Sequence, residues 1–273
     1  MTELYKKTLY LLDIDFLINT TIYEYDLSKA NISILRQYGL ITDDLYNTLY
    51  AADRMDRQVF IGKLQKNDRN IAKALEDGFI EVRRLFFMAN GLEERDILSI
   101  KKDAIFTFKR CMNLRVAEWL DFKEKNLYTS YYHIPSQKKE LYYLKHPFTG
   151  AEVLDVKGMN DESFHYHTKY MIEFLLVLFE TAQTDIVEAL DMISRFVSLY
   201  RSRRLEAGFY RNFNSESRFY YISNPNAFSS FSAEYLLENQ IEYLDISYND
   251  ALLRDLYKCI SKQYFLTHKK PRC

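Results

Sequence analysis

The chain has 273 residues, 37 basic and 38 acidic, for a formal net charge of −1 at pH 7. That length suits one large domain or two modest ones, and the charge balance confines any nucleic-acid surface to a local patch. With 48% hydrophobic and 27% charged residues but only 7 Gly and 4 Pro, the composition is globular, excluding disorder, a collagen-like repeat and a Gly-rich all-β sandwich.

Residues 9–26 alternate short apolar runs with Asp, Asn or Thr and read as strands. Asn31–Tyr38 shifts to helical spacing and stops at Gly39. Thr42 is an N-cap followed by two acidic residues, opening a helix to about residue 54. From Asn67 to Asn90, Ile71, Ala74, Leu75, Phe79, Val82, Leu85 and Phe86 keep three-to-four spacing, and Asn90-Gly91 closes the helix. Ile97–Ile100 and Ala104–Phe108 are β-rich arms around a Lys-Lys-Asp centre, as in a hairpin. Further strands are expected at 127–133, 139–145 and 152–157, then helices at about 161–181, 183–206, 231–238 and 248–264. Strands mixed with helices, followed by helices alone, indicate an α+β unit and then a helical subdomain.

Cys111, Cys259 and Cys273 fit neither a paired framework nor a C-x-x-C site, which points to a reducing compartment. The longest apolar stretch, around 174–179, is far short of the roughly 20 residues of a spanning helix. The N-terminus carries no signal-peptide pattern. A soluble intracellular protein with no membrane role is the expectation.

Asp26 ends a predicted strand just before a helix, and Asp103 lies between the two β arms. A carboxylate from each, meeting at one sheet edge, would hold divalent ions, because Mg²⁺ uses one or two carboxylates and leaves positions for substrate phosphates. The same residues also read as a helix cap at Asp26 and a solvated turn at Lys101-Lys102-Asp103.

The segment Tyr25-Asp-Leu-Ser-Lys-Ala-Asn-Ile-Ser-Ile-Leu-Arg-Gln-Tyr-Gly-Leu-Ile41 resembles motif A of family B DNA polymerases, with Asp26 at the metal-binding aspartate. Ile97-Leu-Ser-Ile-Lys-Lys-Asp-Ala-Ile-Phe106 is similar to motif C, a β-hairpin with an Asp-Thr-Asp-Ser core. Aligned on Ile105-Phe106, Asp103 takes the place of the second aspartate and Lys101 that of the first. Gln137-Lys-Lys-Glu-Leu-Tyr-Tyr143 resembles the Lys-x-Tyr strand that contacts the primer, and Val153–Met159 the strand that leads from palm to thumb. The family's Lys-x-x-x-Asn-Ser-x-Tyr-Gly pattern is absent.

The resemblance implies a palm-like α+β unit at 1–158, short helical fingers at about 42–92 and an all-helical thumb-like subdomain at 159–273. It also implies template-directed nucleotidyl transfer, with two Mg²⁺ (or Mn²⁺) ions on the catalytic Asp26 and Asp103. Asn31 stands at the sugar-selecting position, and the basic helix 52–75, with Arg54, Arg57, Lys63, Lys66 and Arg69, would meet the nucleoside triphosphate as short fingers. Lys138, Lys139 and Tyr142 would contact the primer strand, and Arg201, Arg204 and Arg211 the duplex of a primer–template. Only 25 residues precede Asp26, so a second polypeptide carrying upstream polymerase domains is expected, as in a split viral replication enzyme. The rival expectation is a non-enzymatic module that binds nucleic acid or protein, derived from a palm or from an unrelated α-rich fold.

Overall fold

The structure, a computed structural model, describes Tyr5 and residues 14–101, 103–137, 139–159, 164–165, 167–210 and 247–268. It is mixed α and β. The chain runs β1 (Phe16–Leu27), α1 (Ala30–Gln37), α2 (Asp43–Ala51), α3 (Arg54–Asn67) and α4 (Arg69–Asn90). Next come β2 (Ile97–Lys101), β3 (Ala104–Thr107), β4 (Arg115–Ala117), β5 (Leu120–Ile134), β6 (Lys139–Lys145) and β7 (Glu152–Lys157). Helices α5 (Glu173–Thr184), α6 (Ile186–Arg201) and α7 (Ser247–Thr267) follow. The seven strands form a sheet in the order β2-β3-β1-β5-β6-β7, with β4 on β5. The pairs β1–β3, β2–β3, β4–β5, β5–β6 and β6–β7 are antiparallel. The helix expected at 231–238 lies outside the described residues. No helix among the described residues is long and apolar enough to cross a membrane.

Two units divide the chain: Met1–Leu12 with Thr21–Leu127, and Asp13–Thr20 with Tyr128–Cys273. The division falls inside β1 and β5 and not at residue 158, where the sequence pattern suggested it. Its physical reason is a shared core: Tyr132, Leu141, Tyr143, Leu154 and Val156 of the strands are buried together with side chains of α5, α6 and α7.

In the first unit, α4 presents Ile71, Leu75, Val82 and Phe86 to a core that also holds Tyr25, Leu27, Ile32, Leu35, Ile105 and Phe122. The Phe86 and Phe122 ring centroids are 4.2 Å apart. The basic segment that the sequence presents as continuous from 52 to 75 breaks at Asp68. This residue leaves helical geometry (φ −138°, ψ 113°), ends α3, and caps α4 by accepting the Asn70 N–H at 2.8 Å. Gly91 closes α4 at φ 54°, the left-handed conformation that glycine adopts at little cost.

In the second unit, a single π turn at Thr168–Ile172 leads into α5. Asp185 then caps α6 by accepting the N–H groups of Val187 and Glu188, both at 3.0 Å. Phe179 of α5 stacks on Tyr132 of β5 with centroids 4.2 Å apart. Ile193 and Tyr200 of α6 and Leu252, Leu256 and Ile260 of α7 complete that core.

Candidate metal and phosphate site

Strand periodicity builds the site. Tyr25 and Leu27 point into the first unit's helical core, so the intervening Asp26 faces the other way and stays about one-third exposed. Tyr25 is held in place because its hydroxyl accepts the Cys111 backbone N–H at 2.7 Å. Asp26 is the register partner of Ala104, and Lys101 also pairs with Ala104 across the hairpin, leaving Asp103 in the two-residue connection. The Leu27 N–H donates to the Asp103 carbonyl at 3.3 Å. Two aspartates far apart in sequence thus sit at the same end of adjoining strands, and both line one cavity of about 320 Å³.

Four cations share that cavity: Lys29, Arg54, Arg57 and Lys125. Lys29 precedes α1 in the left-handed conformation, φ 55°, and Asn31 follows on the helix. Arg54 and Arg57 lie one turn apart at the start of α3, where Asp53 caps the helix through the Asp56 N–H at 2.8 Å. Arg57 is tied down by an Nη1 bond to the Ala52 carbonyl at 2.6 Å. Lys125 Nζ lies 3.4 Å from Glu24 Oε1 and 4.0 Å from Asp26 Oδ2. Desolvation, then the charges of Arg57 and Lys123, hold the Lys29 ammonium below its ordinary pKa. Buried Arg83 is lowered by desolvation, with the Asp103 charge acting in the opposite direction.

Among the described residues no group of three His, Cys, Asp or Glu gathers. Asp26 and Asp103 are the two carboxylates of the cavity; Mg²⁺ is the kind of ion that takes one or two protein carboxylates and fills its remaining positions with phosphate oxygens and water. Two further cavities adjoin it. One of about 530 Å³ shares Ser28, and another of about 510 Å³ shares Asn31, Arg54, Gln58 and Asp103.

The model of the family described as Bacteriophage PBS1 gene 130 protein matches residues 1–262. The chain belongs to that family. No curated protein matches it, and the gene 130 description states a phage source and no activity.

In this gene 130 family chain, Asn31 and Arg57 line the cavity with the two aspartates. Lys63 and Lys66 line none of the three cavities. They lie six and nine residues beyond Arg57, roughly 9 and 13 Å further along α3, and are exposed. Lys139 and Tyr142 require correction as primer contacts. Both lie on β6, an inner strand between β5 and β7 whose residues 139–143 are all buried. Lys139 donates to the Gly158 carbonyl, and the Tyr142 hydroxyl donates to Glu140 Oε2 at 2.8 Å. Arg201, in the second unit, grips Asp250 at 2.7 and 3.4 Å; Arg204 of the same unit is exposed. Lys138 and Arg211 lie outside the described residues.

Arg54 belongs to the basic helix that the sequence assigns to the triphosphate, and it lines the cavity. Sequence reasoning missed Lys29 and Lys125, which gave no signal.

Proposed function

We propose that the first unit's cavity holds the phosphates of a nucleoside triphosphate and that the protein transfers a nucleotidyl group to the end of a nucleic acid. In this reading β1 and the β2–β3 hairpin act as a family B polymerase-like palm, α2–α4 take the place of fingers, and the second unit's helices act as a thumb. One observation carries it: Asp26, whose register partner is Ala104, and the adjoining Asp103 line one cavity together with Lys29, Arg54, Arg57 and Lys125.

The chemistry follows from charge. A triphosphate brings several negative charges, and four cations against two carboxylates give the cavity the opposite sign. Arginine guanidinium groups suit phosphate oxygens because their planar donor fork bonds two at once. Asp26 and Asp103 would hold Mg²⁺ or Mn²⁺, which when bound neutralises phosphate charge as the bond to the leaving pyrophosphate breaks. Asn31, at the cavity wall with Lys29, would meet the sugar.

A non-catalytic binding module is the second reading, favoured by Lys125, which already supplies Asp26 with a counter-ion. Primer extension with Mg²⁺ or Mn²⁺ separates the two. Incorporation by the wild type that is lost in Asp26→Asn and in Asp103→Asn supports the enzyme, and the double variant should lose no more than either alone. Primer–template binding with no incorporation, or incorporation unchanged in either variant, overturns it.

A further inference from the structure

Glu24 lies two residues before Asp26 on β1, so both carboxylates face the same side of the strand. Their surroundings differ. Glu24 is fully buried, and a buried carboxylate keeps its charge only beside partners that replace water. β5 runs beside β1 and supplies them. Asn126 Nδ2 donates to Glu24 Oε2 at 2.8 Å, and Lys125 Nζ donates to Glu24 Oε1 at 3.4 Å. The same ammonium is 4.0 Å from Asp26 Oδ2. Lys125 keeps about half of its side-chain surface exposed and lines the cavity of Asp26 and Asp103.

We infer that Lys125, anchored by Glu24, bars a divalent ion from Asp26 unless the ion arrives together with a triphosphate; this rests on reading the cavity as a metal and triphosphate site. Glu24 fixes the ammonium in place, because moving Lys125 away would leave a buried carboxylate short of its counter-ion. An ion on Asp26 therefore has a positive charge as a constant neighbour. Glu24 offsets only part of that charge at Asp26, since it lies about 7 Å back along the strand. Lys29, Arg54 and Arg57 line the same cavity and add to the repulsion. Four cations outweigh the two carboxylates there, so a lone dication meets a site of its own sign. A triphosphate reverses this. Its negative charges attract the cations and the ion alike, so each ligand raises the affinity for the other, by the same factor in both directions. Lys125 is thus a positioning residue, acting on the ion through charge and not through contact.

Mn²⁺ titrated into the full chain and followed by electron paramagnetic resonance tests this without turnover. In the absence of triphosphate, Lys125→Gln should bind Mn²⁺ roughly tenfold more tightly than the wild type, the effect of a unit charge on a dication about 6 Å away at the dielectric of water. With a nonhydrolysable nucleoside triphosphate present, the two proteins should differ far less, so the enhancement shrinks in the variant. A gain of affinity is not what a damaged fold produces. Glu24→Gln keeps the shape of the side chain but frees Lys125 to pair with Asp26 alone. It should therefore move the other way, with weaker Mn²⁺ binding without triphosphate and a larger enhancement with it. Circular dichroism checks that each variant is folded, and Glu24→Gln decides the matter if Lys125→Gln is not. Wild-type binding of Mn²⁺ with the triphosphate, but no gain in folded Lys125→Gln, overturns the inference and leaves the metal reading standing. Mn²⁺ binding by Glu24→Gln that is as tight as the wild type's, without triphosphate, also overturns it. No Mn²⁺ binding by the wild type or Lys125→Gln, with or without triphosphate, overturns the metal reading and the inference with it.

Discussion

Two helix glycines should respond to the same substitution with opposite signs. Alanine is favoured over glycine inside a helix by about 1 kcal/mol, because the glycine backbone loses more freedom on folding. Gly62 on α3 has nothing within 4 Å of an added Cβ, so Gly62→Ala should gain up to about 1 kcal/mol. Gly78 on α4 is where α1 crosses: an added Cβ would lie 2.2 Å from Ile34 Cγ2 and 3.2 Å from Tyr38 Cε2. Carbon atoms in good contact sit about 3.5–4.0 Å apart, and Ile34 is fully buried, so its side chain has nowhere to go. Overpacking of this kind costs about 1–3 kcal/mol. Set against the helix gain, Gly78→Ala should come out neutral to about 2 kcal/mol destabilised, leaving the two variants about 1–3 kcal/mol apart. At this chain length 1 kcal/mol corresponds to a shift of roughly 2–4 °C, so thermal unfolding followed by circular dichroism resolves the difference. Because α1 carries Asn31 into the cavity wall, Gly78→Ala should also weaken triphosphate binding while Gly62→Ala does not. A midpoint for Gly78→Ala at or above that of Gly62→Ala would refute the close α1–α4 packing.

Tyr25→Phe should destabilise by about 1–3 kcal/mol, since the buried Cys111 N–H loses its acceptor; an unchanged denaturation midpoint in urea would show that the bond contributes nothing. Burial pushes the Cys111 thiol up to about 11 and the Cys259 thiol up to about 12. Both should therefore stay protonated and resist a thiol reagent at pH 8 until the protein is unfolded, and rapid labelling of either one in the native protein would contradict their burial.

Local pattern made much of the fold legible. The stripe from Ile71 to Phe86, the Gly91 stop, the β2–β3 hairpin and the break at Thr184-Asp185 are all set by residues near in sequence. Asp26 and Asp103 could be singled out because each sits where a strand ends. What was not legible depends on partners distant along the chain. Lys125 reaches Asp26 only because β5 lies beside β1, and no pattern within 120–134 announces that neighbour. Lys139 and Tyr142 looked like exposed primer contacts because a lysine pair usually marks a solvated edge. On a strand covered on both faces, a buried lysine instead needs an internal acceptor, and the Gly158 carbonyl provides it. The division into units was hidden for the same reason, as the strands from residue 128 onward share their core with helices far downstream.

In the proposed reading Asp26 and Asp103 act together to hold a divalent ion with a triphosphate. Electron paramagnetic resonance of Mn²⁺ titrated into the protein, with and without a nonhydrolysable nucleoside triphosphate, tests this without depending on turnover. The wild type should bind Mn²⁺ more tightly when the triphosphate is present, and Asp26→Asn/Asp103→Asn should lose that enhancement. Equal Mn²⁺ binding by the two proteins, with the triphosphate present, would contradict the claim.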